Sequence, residues 1–152
     1  MKILMLCLGN ICRSPLAQGI LEHLAAKNNL NWQVDSAGTN GYHIGEPPHH
    51  LSIKVAKQHS IDISKQRCRK FTKADIHYFD KIYVMDLDNL QAVKSILGND
   101  FNPVKVDLIM NVVYPNQNIE VPDPWYGNFD GYQKVFEMLH QACNQIISNN
   151  GK

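Results

Sequence analysis

The chain has no stretch approaching the roughly eighteen consecutive apolar residues that a membrane-spanning helix requires, and its formal charge is only +1. The first absence excludes a helical membrane protein. The second excludes a protein drawn to nucleic acid or a lipid surface by its overall field, so any anion site must be local. No G-x-x-x-x-G-K-[ST] nucleotide loop occurs, and the seven histidines show neither H-x-x-x-H nor Cys/His metal spacing. The nearest polar cluster, His49-His50 beside Glu46, reads as a solvated loop, and "KQRCRK" as a solvated basic face. Ile3 to Leu8 is too short for a secretory core, with only Lys2 before it and Asn10 interrupting it. Four cysteines (Cys7, Cys12, Cys68 and Cys143) do not suggest a small disulfide scaffold. At 152 residues none is needed, because folding buries roughly 68–70% of the unfolded surface. A reducing, cytoplasmic compartment is expected.

What is present is an alternation of strands and helices, with no repeat or domain boundary from residue 1 to 152. Lys2 to Leu6 is a short strand buried on both faces. Ser14-Pro15 starts a helix, with Ser14 as cap and Pro15 at its first position, and Leu16, Ile20 and Leu24 carry it to about Lys27. "NWQVDSAGT" is a second strand, Pro48 to Gln58 a helix, "DKIYVMD" a third strand, "DLDNLQAVKSILG" a helix and "PVKVDLIM" a fourth strand. A long segment with three prolines follows. The last helix aligns Tyr132, Phe136, Leu139, Cys143 and Ile146 on one face. This pattern predicts a single α/β domain: a four-stranded parallel sheet with helices on both faces and a phosphate-binding loop after the first strand. Ligands of such sheets bind beyond the carboxyl ends of the strands, where Cys7 stands.

The stretch "CLGNICRSP" is an unusual way to make a plain turn. Between a strand end and a helix start, the backbone N–H groups of Leu8, Gly9, Asn10, Ile11, Cys12, Arg13 and Ser14 can turn inward as an anion nest, aided by the helix dipole. Gly9 permits close approach to the anion, and Asn10 tolerates left-handed geometry. Arg13 can grip two oxygens of a phosphate as a planar fork. Cys7 then lies at the base of a positive bowl that favours its thiolate, with Ser14 placed to hydrogen-bond the sulfur.

"CLGNICRSP" closely resembles the signature of low-molecular-weight protein tyrosine phosphatases. The resemblance continues through "VDSAGTNGYHIGEPP", "VMDLDNL" and "DPWYGNFDGY", in the family's order over nearly the whole chain. It implies hydrolysis of protein phosphotyrosine through a cysteinyl-phosphate on Cys7, with Asp123 as proton donor and later base, and with no metal or cofactor. An acid that must carry its proton implies activity on the acidic side of neutrality. Asp86 is the rival acid, although helix N-cap is its plainer role; Asp88 has a similar claim to the cap. Ser36 matches a family serine that hydrogen-bonds the loop asparagine, here Asn10. Ile11, Tyr42, Trp125 and Tyr126 are expected to wall a slot for a phenyl ring, too deep for phosphoserine to reach Cys7. Many members carry two tyrosines after the Asp-Pro pair; Trp125 replaces the first, so only Tyr126 could be phosphorylated. Cys12 is the expected redox partner of Cys7, and Cys68 and Cys143 read as structural.

The expected partners are a phosphotyrosine protein or peptide, and inorganic phosphate or a similar oxyanion as product or inhibitor. Neither nucleic acid nor membrane is expected, and the chain should be a monomer or weak dimer. Three rivals share the loop. Arsenate reductases need further cysteines after the third strand, and "MDLDNLQAVKSILGND" has none. Protein arginine phosphatases carry a small polar residue where Ile11 stands, so Ile11 and Tyr42 favour an aryl phosphate. A silent phosphate-binding module would not need Cys7, Asp123 and Ser14 together.

Overall fold

The computed structural model describes residues 1–150. Its first strand, β1 (Lys2–Cys7), sends Ile3, Met5 and Cys7 into one apolar cluster and Leu4 and Leu6 into another. That split is the two-residue period of a strand. Ile3 to Leu6 are fully buried because β1 is central. It pairs in parallel with β2 (Gln33–Gly38) and β3 (Lys81–Val84), and β3 pairs in parallel with β4 (Val106–Leu108), giving the order β2-β1-β3-β4. Parallel neighbours cannot be joined by a tight hairpin. The crossovers are α1 (Ser14–Lys27), then α2 (His50–Gln58) with α3 (Ala74–Tyr78), then α4 (Leu87–Leu97). The closing helix, α5 (Phe129–Asn150), packs on α1 and α2 and buries Tyr132, Phe136, Leu139, Cys143 and Ile146 as their spacing predicts. Side chains of this size contribute roughly 1.5–3 kcal/mol each when fully buried, so the stripe fixes the helix whatever its propensity. Ile76, Val93 and Leu97 of α3 and α4 cover the opposite face.

Three local expectations are corrected. Ser14 does not cap α1: it is the first helical residue, Arg13 occupies the cap position, and no side chain caps that end. The Ser14 hydroxyl is drawn instead to Cys7 and Asn10. The second helix starts at His50 rather than Pro48, with the His49 side chain as its cap. The fourth strand is Val106–Leu108 rather than 103–110, since β3 offers only Ile82 to Val84 as partners; a 3₁₀ turn follows at Ile109–Val112. Helix α3 was not expected. Its signal is Thr72 three residues before Asp75, whose carboxylate accepts from the Thr72 N–H at 2.9 Å. No helix among the described residues is long and apolar enough to cross a membrane.

Candidate active site

The loop after β1 is built from its carbonyls outward. Thr39 N donates to the Cys7 carbonyl and Asn40 N to that of Leu8, both at 3.0 Å, and His49 N donates to that of Ile11 at 2.8 Å. The Cys68 thiol donates to the Gly9 carbonyl at 3.0 Å and Ser52 Oγ to the Cys12 carbonyl at 2.9 Å. With these oxygens held outward, the N–H groups are left on the concave side. None from Leu8 to Arg13 donates to another protein group among the described residues. Such a run of free amides can hold an anion.

Cys7 Sγ lies in the same concavity, where it accepts from Ser14 N at 3.4 Å and sits 3.1 Å from Ser14 Oγ. Asn10 Nδ2 donates to Ser14 Oγ at 2.8 Å, which leaves the serine hydrogen free for the sulfur. The same amide donates to Ser36 Oγ at 2.9 Å, and Asn10 Oδ1 accepts from Arg69 N. Asn10 is buried with φ 56°, a left-handed geometry that a short amide side chain tolerates. Gly9 also leaves room for a neighbour: a Cβ there would lie 3.2 Å from the His43 ring. Gly38, at the end of β2, is the position that the loop itself demands: a Cβ would come within 3.0 Å of the Leu8 carbonyl oxygen.

Arg13 is 2% exposed. Its Nη1 donates to Asp86 Oδ2 at 2.7 Å and to the Val121 carbonyl at 2.9 Å, and Nη2 stands 3.8 Å from Asp123 Oδ2. Nε has no partner. The Nε–Nη2 edge is therefore the part of the fork left for an oxyanion. Burial alone would lower the guanidinium pKa, but Cys7 and the carboxylates of Asp86 and Asp123 raise it above its ordinary value. Asp86 has both oxygens engaged, Oδ2 by Arg13 and Oδ1 by Asn89 N in the capping box of α4. That engagement leaves it poorly suited to act as an acid. Asp123 is freer: Oδ1 accepts from Trp125 N at 3.0 Å, Oδ2 faces Arg13, and the side chain is 35% exposed. The loop carrying Asp123 is pinned at Val121, whose N–H donates to Met85 O and whose carbonyl accepts from Arg13.

A cavity of about 270 Å³ opens above the sulfur. Ile11, Tyr42, Asp123, Trp125 and Tyr126 line it with Cys7, Cys12 and Arg13, and so do Leu8, Asn40 and His43, which were not expected as walls. Tyr42 and Tyr126 stand at the rim almost wholly exposed, while Trp125 is half-buried. His43 is oriented by Glu46 at 2.9 Å and tilts against Trp125. All four cysteines are free thiols. Burial pushes Cys12 up to about 12 despite its contact with the Tyr132 hydroxyl at 3.6 Å. Burial likewise pushes Cys68 up to about 11, with Cys7 adding to the effect. Cys143, wholly buried on α5, is raised further.

A sulfur, a guanidinium and unpaired amides facing one concavity at the carboxyl end of a parallel sheet define a class of α/β protein suited to hold a tetrahedral oxyanion against a nucleophile. The sequence profile of the low molecular weight phosphotyrosine protein phosphatase family matches residues 2–151. The low molecular weight protein-tyrosine-phosphatase YfkJ of Bacillus subtilis (strain 168) is 34% identical over 97% of this chain and 94% of its own length. The crystal structure of YfkJ matches with a TM-score of 0.89, covering 98% of this chain and 93% of that one. The human low molecular weight phosphotyrosine protein phosphatase is 35% identical over 96% of this chain and 93% of its length. A solved arginine phosphatase from Drosophila is 28% identical with a TM-score of 0.90, covering 100% and 99% of the two chains. The chain belongs to the low molecular weight phosphotyrosine protein phosphatase family, a family of hydrolases.

Proposed function

We propose that this chain hydrolyses protein phosphotyrosine, and small aryl phosphates, through a phosphorylated Cys7. The free amides of Leu8 to Arg13 around Cys7 Sγ carry the reading. They and the Arg13 fork would hold the equatorial oxygens while the thiolate attacks phosphorus in line, so stabilisation falls where charge develops. The phosphorus–oxygen bond to tyrosine breaks as Asp123 gives its proton to the leaving oxygen. Asp123 then takes a proton from water, which displaces phosphate from sulfur. The activity optimum is expected on the acidic side of neutrality. No metal enters any step, so a chelator leaves the rate unchanged. The four free thiols fit a reducing cytoplasm. The chain would work as a monomer or weak dimer.

A phosphoarginine substrate is the second reading, because a solved arginine phosphatase shares the fold at 28% identity. Against it stand Ile11 on the loop and the aromatic side chains of Tyr42, Trp125 and Tyr126 around the mouth, which suit a flat phenyl ring. Comparing phosphotyrosine and phosphoarginine peptides of one sequence decides between them. Faster turnover of the phosphotyrosine peptide is expected; the reverse order would overturn the assignment.

Two side chains outside the chemistry are given roles that can be checked. Asp86 would hold the Arg13 fork in register. Asp86→Asn keeps a cap acceptor for α4 and removes the charge beside a buried guanidinium. Since breaking a buried pair costs on the order of 3 kcal/mol, we expect a lower midpoint in urea and a higher KM. An unchanged KM would mean that Asp86 serves the helix alone. Cys12 would rescue an oxidised Cys7. Peroxide converts the Cys7 thiolate to a sulfenic acid, Cys12 attacks that sulfur, and water leaves as the disulfide forms. After peroxide, thiol should restore the parent to its untreated rate but leave Cys12→Ser largely inactive. Equal recovery of the two would refute the role.

A further inference from the structure

An imidazole is an unusual helix cap, since Ser, Thr, Asp and Asn are preferred at that position. His49 Nδ1 accepts from Leu51 N at 3.1 Å at the start of α2. A backbone amide can only donate, so Nδ1 must hold a lone pair and the ring is neutral with its hydrogen on Nε2. The same residue joins three parts of the site. Its N–H holds the Ile11 carbonyl away from the bowl at 2.8 Å. Its ring meets Trp125 edge-on at 5.3 Å and stacks on Tyr132 at 5.2 Å, and the Tyr132 hydroxyl touches Cys12 Sγ. One turn later Ser52 holds the Cys12 carbonyl. The first turn of α2 is therefore a buttress behind Ile11 and Cys12, and His49 is its fixing point.

We propose that His49 is a positioning residue for the reaction: as a neutral ring it caps α2, keeps the Ile11 carbonyl outside the bowl and braces Trp125, and taking up a proton loosens all three. The proposal rests on the function proposed above. A protonated Nδ1 would point a hydrogen at the Leu51 N–H and place positive charge at the positive end of a helix dipole. The surrounding groups give that charge little compensation. His50 of α2 stacks on the ring at 4.4 Å, and Tyr132 of α5 presents a phenol committed to Cys12. The nearby carboxylates are otherwise occupied: Glu46 faces His43, and Asp123 is held by Trp125 N and faces Arg13. Burial, with His50 next in effect, lowers the His49 pKa. The stabilisation given by the neutral ring is thus full above the ordinary imidazole value of ~6.5 and is lost as pH falls through the lowered folded value.

The test compares the parent with His49→Asn, which keeps a cap acceptor and does not titrate. KM for an aryl phosphate is measured from about pH 7.5 to about pH 5, the range of imidazole protonation. Over it the parent KM should rise about fivefold more than that of His49→Asn, the scale of one lost cap. Trp125 emission, isolated by Trp32→Phe, reads proton uptake by the neighbouring ring without any turnover, because a protonated imidazole quenches a nearby indole. The acid drop in emission should vanish with His49→Asn and survive His43→Asn. Persistence of the drop in His49→Asn, or parallel KM curves, would overturn the proposal. A parent that hydrolyses no aryl phosphate would instead overturn the proposed function, and the emission comparison would still decide the role of His49.

Discussion

Cys7→Ser should abolish turnover of an aryl phosphate, by a factor of about 10⁴ or more, while the protein still binds inorganic phosphate. The two halves of this result test different atoms. Serine keeps the volume of the side chain but puts a neutral hydroxyl where the mechanism needs an anionic, highly nucleophilic sulfur. The amides of Leu8 to Arg13 belong to the backbone, and their orientation is set by Thr39, Asn40, His49, Ser52 and Cys68 behind the loop. None of those contacts involves the sulfur. Arg13 remains anchored by Asp86 and the Val121 carbonyl. Binding should therefore survive and chemistry should not. If Cys7→Ser lost phosphate binding as well, the sulfur would be holding the bowl in shape. If turnover persisted, the nucleophile would lie elsewhere.

Asp123→Ala should lower kcat by roughly 10²–10⁴, the range of a lost general acid. The effect should be largest with a phenol that leaves reluctantly and smaller with a nitrophenol, whose oxygen needs less help from a proton. Asp123→Asn is the sharper variant. An amide oxygen can still accept from Trp125 N, as Asp123 Oδ1 does at 3.0 Å, so the turn at Pro124–Tyr126 should keep its shape. The amide cannot exchange a proton with the leaving oxygen or with water. Its kcat should fall as far as that of the alanine variant. A fully active Asp123→Asn would leave the turn, rather than the proton, as the contribution of Asp123. Asp86 would not inherit the role easily, because Arg13 and Asn89 already engage both of its oxygens.

The parts of this site that are contiguous in sequence were legible there. A strand that stops on Cys7, a loop with Asn10 at its turn, and a helix opened by Ser14-Pro15 already imply amides turned inward, and "PDPW" singles out Asp123 between two prolines. The α5 stripe was legible for the same reason: its period is local. What escaped was set by contacts between distant segments. Asp86 and Val121 meet Arg13 from 73 and 108 residues away, with no period or motif to announce it. Ser14 reads as a cap by local rules, yet Cys7 and Asn10 outcompete the helix for its hydroxyl. Nothing local marks Gly38, whose lack of a side chain is what lets the loop settle on β2. His49-His50 looked like solvated polar residues because nothing local says that Trp125 and Tyr132 will come to rest against His49.

Inactivation by iodoacetate at about pH 6 probes the sulfur itself, because an ordinary thiol with a pKa of ~8.5 is almost wholly protonated there and reacts slowly. Rapid, single-site alkylation of Cys7, slowed in proportion to added inorganic phosphate, is the predicted result. Cys12, pushed up to about 12 by burial, should remain unmodified. A Cys7 that stays unreacted at that pH, or that reacts at the same rate with and without phosphate, would contradict an anionic sulfur at the base of an oxyanion site.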